Sequence, residues 1–162
     1  MDQLDGLPRN RLINVTFDEE SIERGNADQE HERAIAVYDL IEENEFSLPD
    51  HEGGPYCLRI GMHDSKLALH VLDEAGAPIV VHILSMTPFR RIFKDYFLMC
   101  ESYYAAIRTA SPSQIEALDM GRRGLHNDGA QLLGERLRGK IDFDFDTARR
   151  LFTLVTALHW KG

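Results

Sequence analysis

A chain of 162 residues, 43% hydrophobic and 28% charged, has enough apolar side chains for one packed core and falls within the usual size of a single domain. Its formal net charge of -9 argues against general electrostatic attraction to nucleic acid or to an anionic membrane. Two distant cysteines, Cys57 and Cys100, form no C-x-x-C pair and no disulfide framework, and read as reduced thiols of a cytoplasmic protein.

The charge is unevenly placed. Residues 1–86 carry 18 acids and 6 bases, a balance of -12, whereas residues 87–162 carry 9 acids and 12 bases, a balance of +3. Residues 1–10 hold two aspartates and no apolar run, so a flexible tail is expected there instead of a signal peptide, with one globular domain over 11–162. The longest nearly uncharged stretch, 75–89, is broken by Gly76, two prolines and His82, and falls short of the roughly 20 apolar residues of a membrane span.

Residues 12–17 are rich in strand formers and predict a first strand. Asp28 then suits the cap of a helix with Ala34, Val37, Tyr38 and Ile41 on one face, ending within 44–49. A three-stranded meander follows, because apolar residues alternate at Tyr56, Leu58, Ile60 and Met62, at Leu67, Leu69 and Val71, and at Ile79, Val81 and Ile83. A tight turn at Asp64-Ser65 sets Ile60 opposite Leu69, and an odd-length loop through Gly76 keeps Val71 and Ile79 on the same, core-facing side. On that register Arg59, His70 and His82 form a row on the opposite face.

Pro88, capped by Thr87, predicts a helix that is apolar over most of its circumference from Phe89 to Ile107, and therefore the central, buried one; Phe93, Tyr96 and Phe97 are expected inside. Ser111-Pro112-Ser113-Gln114 has the form of a capping box with proline at the first helical position. Leu118, Leu125 and Leu132 recur every seven residues and favour one continuous helix, against which stand Gly121, Gly124, Gly129 and Gly134, with Asp128 able to cap a separate segment. Ile141, Phe143 and Phe145 alternate with aspartates as an extended lead-in, and Asp146 is the expected cap of a last helix with Ala148, Leu151, Phe152, Val155 and Leu158 on its apolar face. Strands early and helices late make an α+β fold, an antiparallel meander with the later helices packed against it.

Four strings carry a family resemblance: EHERAIAVYDLIEEN at 30–44, LSMTPFRRIFKDYF at 84–97, CESYYAAIRTASPSQIEALDMGRRGLHN at 100–127 and DFDTARRLFTLVTALHW at 144–160. Through them the chain resembles the bacterial uncharacterised protein family 0262 over nearly its whole length beyond the first ten residues. The resemblance implies a cytoplasmic bacterial protein and carries no established activity, ligand or catalytic residue.

Several motifs fail on chemistry. Residues 134–140 match G-x-x-x-x-G-K, but Ile141 stands where a hydroxyl would bind magnesium, and the segment ends a helix instead of opening one. Asp142, Asp144 and Asp146 imitate a calcium loop, yet Thr147 replaces its turn glycine and Thr153 its bidentate glutamate. There is no H-E-x-x-H, no zinc-finger spacing and no G-x-S-x-G elbow, so neither metal nor cofactor is expected. The Arg59, His70, His82 row is either a shallow basic strip or a solvated sheet face, and Tyr96, Tyr103 and Tyr104 are either a stacking surface or core packing.

Three arginine pairs remain: Arg90-Arg91, Arg122-Arg123 and Arg149-Arg150. Two of them lie near predicted helix starts, where cations oppose the helix dipole and an anion would compensate. Guanidinium groups bind phosphate or carboxylate bidentately, and the acidic first half of the chain could itself supply the carboxylates. The first expectation is therefore a non-enzymatic binding or regulatory protein engaging an anionic small molecule or an acidic protein partner through Thr87, Arg90, Arg91, Arg122, Arg123, Arg149 and Arg150. The alternative is a small enzyme acting on a phosphate ester or RNA, with Arg122 as electrostatic stabiliser and His126, one helical turn away, as proton-transfer group. A purely structural subunit follows if the arginines all pair internally, and a homo-oligomer is open on any of these readings.

Overall fold

Alternating apolar side chains build a sheet of four strands, β1 (Leu12–Phe17), β2 (Tyr56–His63), β3 (Lys66–Asp73) and β4 (Pro78–Ser85), in the order β1-β2-β3-β4. The structure, a computed structural model, describes residues 9–161. Most of the expected N-terminal tail lies outside the described residues; Arg9 and Asn10 are tied to the body, Arg9 Nη2 donating to the Gly54 carbonyl and the Asn10 carbonyl accepting from the Phe46 N–H. The turn at Asp64-Ser65 forms as read, with Asp64 at φ 58, and it sets Ile60 opposite Leu69 and Arg59 opposite His70. β1 runs parallel to β2, with helix α1 (Ala27–Glu42) as the crossover, so the sheet is mixed: the antiparallel meander is its β2-β3-β4 portion.

The second register differs from expectation. Leu72 pairs with Pro78, which would set Val71 opposite Ile79, but Val71 pairs with Val80. Ile79 is an extra residue in a β-bulge, and one extra residue turns every later side chain of β4 to the other face. His82 consequently sits opposite Leu69 on the helix-facing side, while Val81 sits opposite His70 on the other. The row of Arg59, His70 and His82 is therefore broken. Burial holds His82 below its ordinary pKa, beside Lys140.

In α1 the cap is Asn26, whose side chain accepts from the Gln29 N–H while Gln29 reaches back to the Asn26 N–H; Asp28 instead lies in the first turn, where its charge suits the helix dipole. The buried face is Arg33, Ala36 and Leu40, with Ala34 and Tyr38 exposed, contrary to the expected stripe. Arg33 explains the rotation. Its long stem is buried while its guanidinium donates to the Glu23 carbonyl and to Glu30, so a charged residue occupies a core position that a hydrophobicity pattern assigns to its neighbours.

A 3-10 turn at Thr87–Phe89 leads into α2 (Arg90–Ala106), followed by α3 (Pro112–Leu137) and α4 (Phe145–His159). The central helix is α4, not α2: eight residues of α4 are buried, against Phe93 alone in α2, and α4 packs on both α1 and α3. Tyr96 and Phe97 are half-buried and Tyr104 is exposed, because among the described residues α2 packs extensively on one helix only, α3. The cap of α4 is Asp144, accepting from the Thr147 N–H at 2.9 Å, in place of the expected Asp146. Replacing Asp144 with alanine should cost about 1 kcal/mol in chemical denaturation, whereas Asp146→Ala, which removes a first-turn charge and a long, exposed ion pair to Arg149, should cost a few tenths; equal effects would refute the assignment of the cap.

Helix α3 is continuous over 26 residues, opened by the Ser111–Gln114 capping box as read. One of its glycines has a reason found in packing. At Gly129 a Cβ would run into the ring of buried Phe152, so this glycine lets α3 and α4 approach closely around the aromatic cluster of Phe89, Phe93 and Phe152. Gly124 meets nothing within 4 Å.

Candidate functional site

Where α2, α3 and α4 meet, each helix contributes residues three or four positions apart, the spacing that lines up side chains on one helical face. Helix α2 supplies Tyr96, Cys100 and Tyr103, α3 supplies Asp119, Arg122, Arg123 and His126, and α4 supplies Arg149 and Thr153. Together they form a polar seam beside the aromatic core.

Asp119 organises the outer part of the seam. Its carboxylate accepts from Arg122 Nε at 2.7 Å and pairs with Arg123 Nη2 at 2.9 Å. The Arg122 guanidinium also lies over the Tyr103 ring, 3.9 Å from its centroid, a cation–π contact that fixes the planar group. Cys100 lies near this group. Burial raises its thiol pKa and outweighs the opposing pull of Tyr96 and Arg122. Burial likewise pushes the Tyr96 hydroxyl well above its ordinary range.

His126 forms the inner part. Its ring stacks edge-on to Phe152 at 5.1 Å and lies 5.6 Å from Tyr96, while Nε2 is 2.8 Å from Thr153 Oγ1. Thr153 Oγ1 spends its single proton on the Arg149 carbonyl at 3.0 Å, so Nε2 must be the donor to Thr153 and the imidazole is the Nε2–H tautomer. Nδ1 is left as a bare lone pair, buried and without a partner. Desolvation first, and the Arg149 charge second, lower the pKa to about 4, so the ring is neutral at physiological pH.

The structure distributes the arginines over three places. Arg122, Arg123 and Arg149 border the seam, Arg149 also pairing with Asp146 at 3.7 Å. Thr87, Arg90 and Arg91 cluster before and in the first turn of α2; Thr87 caps nothing, since it lies in the 3-10 turn, Phe89 holds the cap position, and no acid lies in that first turn. Arg91 reaches only Asp95 at 3.8 Å and its side chain is 93% exposed, while Arg90 is exposed with no ion pair among the described residues. Arg150 is elsewhere: it pairs with Glu43 at 3.3 Å and lines a cleft of about 660 Å³ whose other charged groups are Glu43, Glu45, Asp142, Asp144 and Asp146. An anion in that cleft would face five carboxylates, so Arg150 acts there as their counterion. Among the described residues no group of three or more His, Cys, Asp or Glu is placed to hold a metal ion.

Arg122 and His126 do lie one turn apart on a continuous helix, but they take different partners, and the charge acting on His126 is that of Arg149. Sequence reasoning missed Asp119 and Thr153. Both had a signal: Asp119 precedes the Arg122-Arg123 pair by three and four residues, and Thr153 follows Arg149 by four, spacings at which helical side chains meet.

The chain matches the family described as Uncharacterised protein family (UPF0262) over residues 9–161. It is similar to a UPF0262 protein of Methylobacterium radiotolerans, 61% identical over 94% of this chain and 95% of the relative. A UPF0262 protein of Azorhizobium caulinodans is 63% identical over 96% and 97% of the two chains, and one of Xanthobacter autotrophicus 60% identical over 99% of each. No solved structure matches. No helix among the described residues is long and apolar enough to cross a membrane. The chain belongs to the UPF0262 family.

Proposed function

We propose that this member of the UPF0262 family is a cytoplasmic binding or regulatory protein, not a catalyst, and that it engages an anionic ligand or an acidic partner at the basic ridge of Arg122, Arg123 and Arg149. The observation that carries this reading is a local charge excess. Three guanidinium groups from two helices share two carboxylates, Asp119 and Asp146, on a chain whose net charge is -9. The side chains of Arg123 and Arg149 are 70% and 44% exposed, so both keep donors free for phosphate or carboxylate oxygens. Arg90 and Arg91 at the start of α2 give a second, smaller source of positive charge.

The enzymatic alternative, phosphate-ester or RNA chemistry with Arg122 and His126, is weaker on the same geometry. A proton-transfer group works best with a pKa near the operating pH and a lone pair or proton within reach of substrate. His126 has its Nε2 proton committed to Thr153 and its Nδ1 buried.

A thermal-shift series with inorganic phosphate, nucleotides, sugar phosphates, short RNAs and dicarboxylates tests the reading. A ligand of the folded state should raise the melting temperature by mass action, and the double variant Arg123→Glu, Arg149→Glu should lose that rise while melting within a few degrees of the parent without ligand. No stabilisation by any of these anions, or an undiminished response in the double variant, would remove the ridge from consideration. Turnover of a phosphate ester or RNA that depends on His126 would favour the enzyme instead.

A further inference from the structure

The three tyrosines of α2, which the sequence leaves between a stacking surface and core packing, take separate places. Tyr96 is half-buried against Phe97, His126 and Phe152. Tyr103, also half-buried, carries the Arg122 guanidinium over its ring. Tyr104 is 62% exposed, and its ring meets that of Tyr103 edge to face, with 5.5 Å between centroids and 73° between planes. A continuous line of contacts therefore joins an exposed aromatic ring to an exposed cation: Tyr104 to Tyr103, Tyr103 to Arg122 at 3.9 Å, Arg122 to Asp119 at 2.7 Å, and Asp119 to Arg123 at 2.9 Å.

Each contact in the line has a distinct part. Arg122 has its Nε committed to Asp119 and its plane to Tyr103, so it anchors the cluster. Arg123 shares the Asp119 carboxylate with Arg122 and its side chain is 70% exposed, so it keeps N–H donors for an incoming oxyanion. The Tyr104 ring leans on Tyr103, which the Arg122 guanidinium covers, and a ring placed in advance loses little rotamer freedom when a flat group settles on it. We infer that the ligand of the basic ridge is a nucleoside phosphate, its base lying on Tyr104 and its phosphate taken by Arg123; this rests on the anion-binding reading of the ridge given above.

Inorganic phosphate, a sugar phosphate or a dicarboxylate would use the arginines and leave the Tyr104 ring in water. A nucleoside phosphate uses both, because every base has a π-face that stacks on an aromatic side chain while its phosphate needs a cation within one nucleotide's reach. Charge then limits the size of the ligand. On a chain of net charge -9, the further phosphates of a strand would leave the arginines and meet a repelling surface, so one exposed ring beside them suits a single nucleotide.

Isothermal titration calorimetry of the full chain with adenosine 5′-monophosphate, ribose 5-phosphate and a short oligoadenylate tests this. The nucleotide should bind at least about tenfold more tightly than ribose 5-phosphate, which carries the same phosphate without the base. Tyr104→Ala should erase that difference, bringing the nucleotide down to the affinity of the sugar phosphate and leaving the sugar phosphate unchanged, whereas Tyr104→Phe should preserve it. Arg123→Glu should lose both ligands. Both positions are exposed, and circular dichroism establishes that each variant is folded. Equal affinity for nucleotide and sugar phosphate, or an undiminished nucleotide advantage in Tyr104→Ala, overturns the inference and leaves the ridge as an anion site. Absence of binding by any phosphate overturns the inference and the ridge together. Binding of the oligoadenylate more than about tenfold tighter than the mononucleotide assigns the ring to a strand and overturns the single-nucleotide assignment.

Discussion

Gly129→Ala should destabilise the protein by about 2–3 kcal/mol although it raises intrinsic helix propensity, because the new methyl would enter the space of the Phe152 ring. Phe152 is completely buried, against Phe89 and Phe93, with His126 at its edge, so it has no vacant rotamer to move into. The alternative is for α3 to move off α4, which would strip burial from Ala130, Leu133 and Leu137 as well. Gly124→Ala, five residues earlier on the same helix, should do the opposite and stabilise by about 1 kcal/mol, since a methyl there meets nothing and the unfavourable backbone entropy of glycine is removed. Urea denaturation of the two variants separates packing from propensity. If both shift the midpoint in the same direction, the role assigned to the Gly129–Phe152 contact is wrong.

Lowering the pH from 7 to 4 should weaken the fold, and a measurable part of that loss should vanish in His126→Phe. The pKa of His126 is held at about 4 in the folded state, below its unfolded value of 6.5. Between these values the unfolded chain binds a proton that the folded one does not. Stability from this group is therefore fully present above about pH 6.5, is lost as the pH falls to about 4, and does not change further below that. The shift corresponds to about 3 kcal/mol as an upper bound, reduced to on the order of 1–2 kcal/mol because the ring is only partly removed from solvent. The charged and titratable groups that face His126 are Arg149 and Tyr96, and burial keeps the Tyr96 hydroxyl protonated. His159 and His82 are shifted in the same direction by burial and remain in the variant, as do the carboxylates. The difference between parent and variant thus isolates His126. Parallel stability–pH curves for the two proteins would show that the imidazole is solvated or differently partnered.

His126 also illustrates how much of the seam could be read from the chain. Its place one turn from Arg122 follows from helical spacing, as does the pairing of Asp119 with the arginines. That its proton goes to Thr153, 27 residues later, and that its Nδ1 is buried without a partner, depends on how α3 and α4 are rotated about their axes. No local pattern encodes that rotation. The same holds for Arg150, which the sequence groups with Arg149 but which α4 turns toward Glu43 and the acidic cleft, away from His126.

What the sequence by itself determined was local. Alternation and helical periodicity placed the strands and helices, Ser111-Pro112-Ser113-Gln114 opened α3, and the Asp64-Ser65 turn set the β2-β3 register, because each depends on residues within a few positions of one another. Tertiary structure decided which helix is central, which face of α1 is buried and where β4 points. Helix α2 carries more apolar side chains than α4 but lies at the margin of the helical layer; Arg33 could occupy a core position only because the Glu23 carbonyl and Glu30 receive its guanidinium; and the bulge at Ile79, one residue long, reversed the face of His82. In each case the deciding contact joins segments that composition and periodicity treat independently, and the free energy of packing them together outweighs the preference of any one segment.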